Sequence, residues 1–102
     1  MEKLREGVAK LSLLLPLKKV VLFGSWARGN YTAASDVDLL VVYEGPKRED
    51  AFSLVVKTLN IPRLEPHVYT EEEFSRVGPG FRAAALQGVL IYSSETGGSH
   101  AG

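Results

Sequence analysis

The sequence predicts an α/β domain in which helices cover a sheet. Two short runs, residues 20–23 and 39–42, are apolar at every position, as expected of strands buried on both faces. Stripes of helical period precede the first run and follow the second. Turn residues punctuate the intervals, so strands alternate with helices. At 102 residues the chain has the length of one domain with a modest core. The domain is expected over 1–92, and 93–102, rich in Ser and Gly without apolar anchors, is expected to be a disordered tail.

Leu4, Val8, Leu11 and Leu15 recur at spacings of four, three and four, which gives an amphipathic helix. Gly7 weakens it, and Pro16 ends it by disfavouring helical geometry at the preceding residue. Residues 19–23 read as a buried strand that Gly24-Ser25 breaks. Trp26, Ala27 and Arg28 suit one helical turn before the turn signal Gly29-Asn30. From 36 or 37 to 43 the pattern is again a buried strand, stopped at Gly45-Pro46.

Residues 47–59 read as a helix with Phe52, Val55, Val56 and Leu59 on its inner face, ended by Asn60-Ile61-Pro62. Over 63–69 the residues alternate, with Leu64, Pro66 and Val68 facing one way and Glu65, His67 and Tyr69 the other. Pro66 cannot donate to a ladder, which places this strand at a sheet edge or gives it a bulge. Thr70 and Glu73 form a capping box that opens a short helix to about Arg76. Gly78-Pro79-Gly80 separates it from a helix at 81–87, with Gly88 as a left-handed stop. Residues 89–92 form a last strand.

Twelve basic and twelve acidic residues cancel, so no net positive field argues for non-specific nucleic-acid binding. The absence of cysteine excludes disulfides and thiolate metal sites. The first residues alternate charge without the apolar core of a signal peptide. No apolar stretch approaches the roughly 18 residues that span a bilayer. The expected location is cytoplasmic.

Chemistry concentrates in residues 23–38. Asp36 and Asp38, two apart at a strand entrance, project to one side with Cα atoms about 6.5–7 Å apart. Like charges held that close need a shared cation, a shared proton or a basic partner. Hard oxygen ligands with no His or Cys nearby in the sequence favour Mg²⁺ or Mn²⁺ over zinc, and Mg²⁺ completes its shell with water and substrate phosphates. Gly24-Ser25, after a strand, offers backbone N–H groups and a hydroxyl to phosphate oxygens. Either half alone is common. Together, at this spacing, they arise by chance in a chain this short on the order of once in a thousand.

Gly-Ser, a spacer, then Asp-x-Asp resembles the signature of the DNA polymerase β nucleotidyltransferase superfamily. The runs Phe23-Gly24-Ser25-Trp26-Ala27-Arg28-Gly29 and Ser35-Asp36-Val37-Asp38-Leu39-Leu40-Val41-Val42 look more closely like its minimal nucleotidyltransferases (MNT). The resemblance implies a mixed β-sheet flanked by α-helices, the polymerase β-like nucleotidyltransferase fold. It implies Mg²⁺-dependent transfer of a nucleoside monophosphate with release of pyrophosphate. Asp36, Asp38 and a third carboxylate from a later strand then hold the metal. The matching position is Glu65, where the family usually has aspartate. Gly24 and Ser25 bind the donor's phosphates, and Arg28 is near enough in sequence to add charge. His67 is expected to be a bystander, and Trp26 to pack beneath the loop.

The resemblance also implies a partner. Minimal nucleotidyltransferases often pair with a small helical HEPN protein, as antitoxins of toxin–antitoxin modules, and some adenylylate a tyrosine on the toxin. ATP as donor and a partner-protein hydroxyl as acceptor is the expectation this supports. A contact-only binding module with a vestigial site is the alternative.

Overall fold

The computed structural model describes residues 2–24, 29 and 35–94. The expected helical turn at 26–28, Asn30 and the tail from 95 onward lie outside these residues. The chain runs α1 (Glu2–Leu14), β1 (Leu17–Phe23), β2 (Val37–Tyr43), α2 (Ala51–Leu59), β3 (Leu64–Thr70), α3 (Glu71–Ser75), α4 (Pro79–Leu86) and β4 (Val89–Ser93). Among the described residues the strands form one sheet in the order β3-β2-β1-β4. β1 is antiparallel to both β2 and β4, whereas β2 and β3 run parallel across the α2 crossover. The sheet is therefore mixed.

Its central strands have two buried faces. Val20, Leu22, Leu39, Val41 and Tyr43 pack with Leu4, Val8 and Leu11 of α1 and with Ala51, Val55 and Leu59 of α2. On the other face Val21, Leu40 and Val42 pack with Ala85 and with the rings of Phe23, Tyr69, Phe74 and Phe81. Burial on both sides explains why alternation is absent from β1 and β2. β1 begins at Leu17, two residues before the predicted start. Leu17 pairs with Tyr43 and a register shift passes over Lys18, so the lysines that obscured the apolar pattern lie inside the strand.

Gly7 does more than weaken α1. A Cβ there would lie 2.6 Å from Leu59 Cδ2 and 3.3 Å from Leu59 Cα, so glycine permits the close approach of α1 and α2. α2 itself starts four residues later than predicted. Tyr43 Oη accepts a hydrogen bond from the Arg48 amide at 2.9 Å, and the Arg48 guanidinium donates to the Leu14 carbonyl. These tertiary contacts hold residues 47–50 in a turn. The inner face also differs from the predicted one: Ala51, Val55 and Leu59 are buried, while Phe52 and Val56 are 54% and 40% exposed. The face carrying Ala51, Val55 and Leu59 is the one that packs with α1.

β3 is an edge strand, as Pro66 requires. Thr70 Oγ1 accepts from the Glu73 amide and Glu73 Oε1 accepts from the Thr70 amide, so the predicted capping box is present. α4 begins at Pro79 rather than residue 81, with proline at the position where a missing N–H costs nothing. Gly88 is not the left-handed stop predicted. Gln87 caps the helix in right-handed geometry, and positive φ among described glycines falls at Gly24, Gly29 and Gly45. Glycine is needed at 88 because a Cβ there would collide with the Leu22 carbonyl. β4 extends through Ser93, one residue into the predicted tail. No described helix is long and apolar enough to cross a membrane.

Candidate active site

The sheet pairings bring distant residues to one end of one face. Phe23, the last residue of β1, pairs with Asp38 near the start of β2. Asp38 in turn stands opposite Glu65 of β3. Side chains two apart on a strand share a face, which puts His67 beside Glu65 on the surface that carries Asp38. Asp36 lies one residue before β2, where the Val37 amide donates to the Arg63 carbonyl at 2.9 Å.

Gly24 closes β1 with φ of +80°, a conformation that glycine adopts at little cost. A Cβ at this position would overlap the Asp38 carboxylate, first at Oδ2. The glycine therefore turns the chain and also leaves the space that the carboxylate occupies.

Glu65 is where the acidic groups meet. The Asp36 carboxyl, in hydrogen-bond contact with it and negatively charged, raises its pKa above the ordinary glutamate value; desolvation and Asp38 act the same way, and His67 partly opposes them. Arg63 Nε lies 3.6 Å from Asp36 Oδ1, so a cation balances the outer carboxylate. Arg63 reaches it from a left-handed backbone conformation, φ +61°, which strains a side-chain-bearing residue.

Ligand atoms of Asp38, Glu65 and His67 all lie within 4.8 Å of one another. Two carboxylates converging on an imidazole, with a third carboxylate against Glu65, fit a divalent cation that would relieve their repulsion. The absent Cβ of Gly24 leaves Asp38 room to serve it. Asp36, Asp38 and Glu65 could supply hard oxygen donors to such an ion.

The structure thus brings together Gly24, Asp36, Asp38 and Glu65. Ser25 and Arg28, the other two predicted phosphate-binding residues, lie outside the described residues. Arg63 and His67 join the cluster although sequence reasoning gave neither a role there. The alternation that grouped Glu65 with His67 was the available signal for the histidine. A separate cavity of about 340 Å³, lined by Lys19, Val21, Leu86, Gly88, Leu90 and Ser93, contains none of the candidate residues.

Comparison with known proteins adds four similarities. Residues 1–92 match the family model described as the nucleotidyltransferase domain. A protein of Methanocaldococcus jannaschii, assigned as a protein adenylyltransferase, is 62% identical over 26 residues, a stretch that spans 26% of this chain and 26% of that protein. The crystal structure of a protein from Sulfolobus solfataricus assigned as a nucleotidyltransferase superposes with a TM-score of 0.63 at 30% identity, covering 92% of this chain and 80% of that one. A toxin–antitoxin crystal structure with AMP-PNP shares the fold, with a TM-score of 0.64 at 15% identity over 91% of this chain and 76% of that chain.

Proposed function

This chain belongs to the nucleotidyltransferase domain family, and we propose that it moves a nucleoside monophosphate, AMP from ATP, onto a hydroxyl of a partner protein. The observation that carries the reading is the meeting of Asp38 and Glu65 across β2 and β3, beside the glycine turn that ends β1. It joins three chain segments into one anionic site at the end of the sheet.

In the reaction, the acceptor oxygen bonds to the α-phosphorus, the bond from that phosphorus to the pyrophosphate oxygen breaks, and pyrophosphate leaves. The acceptor's proton passes to a base. Glu65, which the sheet register sets opposite Asp38, suits that role. The backbone N–H groups at Gly24-Ser25, the Ser25 hydroxyl and Arg28 would bind the β- and γ-phosphates. Asp36, Asp38 and Glu65 would hold Mg²⁺. When bound, that ion offsets charge on the triphosphate and makes the acceptor hydroxyl more acidic. Phe23 and Phe81 wall one side of the cluster with apolar rings.

The relative assigned as a protein adenylyltransferase supports a protein acceptor. The toxin–antitoxin structure with AMP-PNP supports an adenine-nucleotide donor and a partner, for which a small helical HEPN-type protein is our expectation. A cytoplasmic setting suits both. The second reading is a module that neutralises its partner by contact alone; the exposed Leu86 and Leu90 beside the β1–β4 cavity favour it.

Incubation with Mg²⁺, ATP labelled at the α-phosphate and the product of the adjacent gene separates the two. Transfer predicts label on the partner, lost by at least about 100-fold in Asp36→Asn and Asp38→Asn. An unlabelled partner that is neutralised equally well by the double variant would establish contact alone.

A further inference from the structure

We propose that His67 is a nitrogen ligand of the divalent cation held by Asp38 and Glu65, making the centre a mixed carboxylate–imidazole site. The inference rests on the nucleotidyl-transfer reading of the cluster and adds to it a residue and a metal preference.

Three observations carry it. The first is position: His67 Nε2 faces Asp38 Oδ1 at 4.0 Å. That is beyond hydrogen-bond length. Adjacent ligands of one ion with bonds of about 2.1 Å stand about 3 Å apart and opposite ones about 4.2 Å. The spacing therefore suits two ligands that share an ion better than it suits a direct bond between them.

The second is orientation. The imidazole packs against Phe23, with centroids 5.3 Å apart and planes at 52°, and against Phe81, at 5.6 Å and 49°. Phe81 is itself edge-on to Phe23 at 88° and packed against Tyr69. Rings from β1, β3 and α4 thus fix the imidazole plane while its Nε2 edge points to the carboxylates. Metal-binding histidines need this kind of preorganisation.

The third is access. The side chains of His67 and Asp38 are 33% and 28% exposed, so an ion can reach both from solvent.

An imidazole changes which ion the site selects. Carboxylate and water suit Mg²⁺, whereas imidazole shifts preference toward Mn²⁺ and the later first-row ions. We expect Mn²⁺ to bind at least 10-fold more tightly than Mg²⁺, with the ratio falling several-fold in His67→Gln.

The direct test is pulsed electron paramagnetic resonance of Mn²⁺ bound to the full chain, alone and with inorganic tripolyphosphate. Tripolyphosphate contains no nitrogen, so any nitrogen coupling comes from the protein. The expected result is a ¹⁴N modulation that changes to the ¹⁵N pattern in protein labelled only at histidine. It should persist in His100→Gln and vanish in His67→Gln. Labelling without substitution keeps the test valid if His67→Gln folds poorly. Bound Mn²⁺ without a histidine coupling, or a coupling that persists in folded His67→Gln, overturns the role of His67 and leaves the carboxylate centre standing. Failure to retain Mn²⁺ in either condition overturns the metal-site reading as well.

Discussion

Gly24 abuts Asp38 so closely that any side chain at position 24 would enter the space of the Asp38 carboxylate. Gly24→Ala should consequently act twice. Alanine at φ +80° costs about 1–2 kcal/mol in backbone strain, and its Cβ displaces the carboxylate. Gly29 separates the two effects, because it shares φ +80° but a Cβ there meets nothing within 4 Å. Both variants should lose similar stability in urea titrations. Only Gly24→Ala should weaken Mn²⁺ binding, by about 10-fold or more; equal weakening in both would assign the effect to strain.

The capping box between β3 and α3 yields a prediction with a definite pH sign. The Thr70 backbone N–H, then Lys47, hold the Glu73 carboxyl below its ordinary pKa. A depressed acid contributes stability that is present above the unfolded value of 4.5 and lost as pH falls through the folded value. Thr70→Ala should cost about 1 kcal/mol at neutral pH. Glu73→Gln should flatten the acid side of the stability profile, measured by urea midpoints at successive pH values. An unchanged acid limb would show that the cap contributes nothing through charge.

Gly7→Ala opposes two effects whose balance the packing decides. Replacing a mid-helix glycine gains about 1 kcal/mol in helix propensity. The new Cβ, however, meets Leu59, which is 2% exposed and has no room to withdraw. Overpacking of this kind costs about 1–3 kcal/mol, so a net loss near 1 kcal/mol is expected. Leu59→Val removes the Cδ2 that the Cβ meets at 2.6 Å. In that background Gly7→Ala should become neutral or stabilising in a double-mutant cycle; simple additivity would refute the contact.

Local chemistry was legible in the sequence, and contact between distant segments was not. Pro66 announced an edge strand because a proline cannot donate, and Thr70 with Glu73 announced a cap, each by its own bonding. Asp36 and Asp38 were readable as a pair because strand geometry relates residues two apart. The turn at 47–50 was hidden, since the groups that hold Arg48 belong to Tyr43 and Leu14. Likewise no local rule links His67 to Phe23 and Phe81, whose rings set its orientation. The inner face of α2 was misassigned because period alone accepts either Phe52 and Val56 or Ala51 and Val55. Only the docking of α1 chooses between them.

Glu65 joins site chemistry to pH. Its pKa is raised, chiefly by the hydrogen-bonded and charged Asp36 carboxyl. A raised acid binds protons more tightly in the folded state than in the unfolded chain. Its stabilising contribution is therefore complete below the unfolded value of 4.5 and is lost as pH climbs through the folded value. Metal-free protein should lose stability over that window, and Glu65→Gln should abolish the loss because an amide carries no charge to crowd Asp36. Saturating Mg²⁺ should return that stability at neutral pH without helping Glu65→Gln to the same extent, since the ion offsets the repulsion only where the carboxylate remains. Nucleotidyl transfer by Glu65→Gln should fall by about 100-fold or more, in line with loss of a general base. Thermal melts across pH with and without Mg²⁺, beside label transfer, test both halves. A variant more stable at neutral pH yet inactive would show that Glu65 is kept for chemistry against the interest of the fold, whereas full activity would remove it from the site.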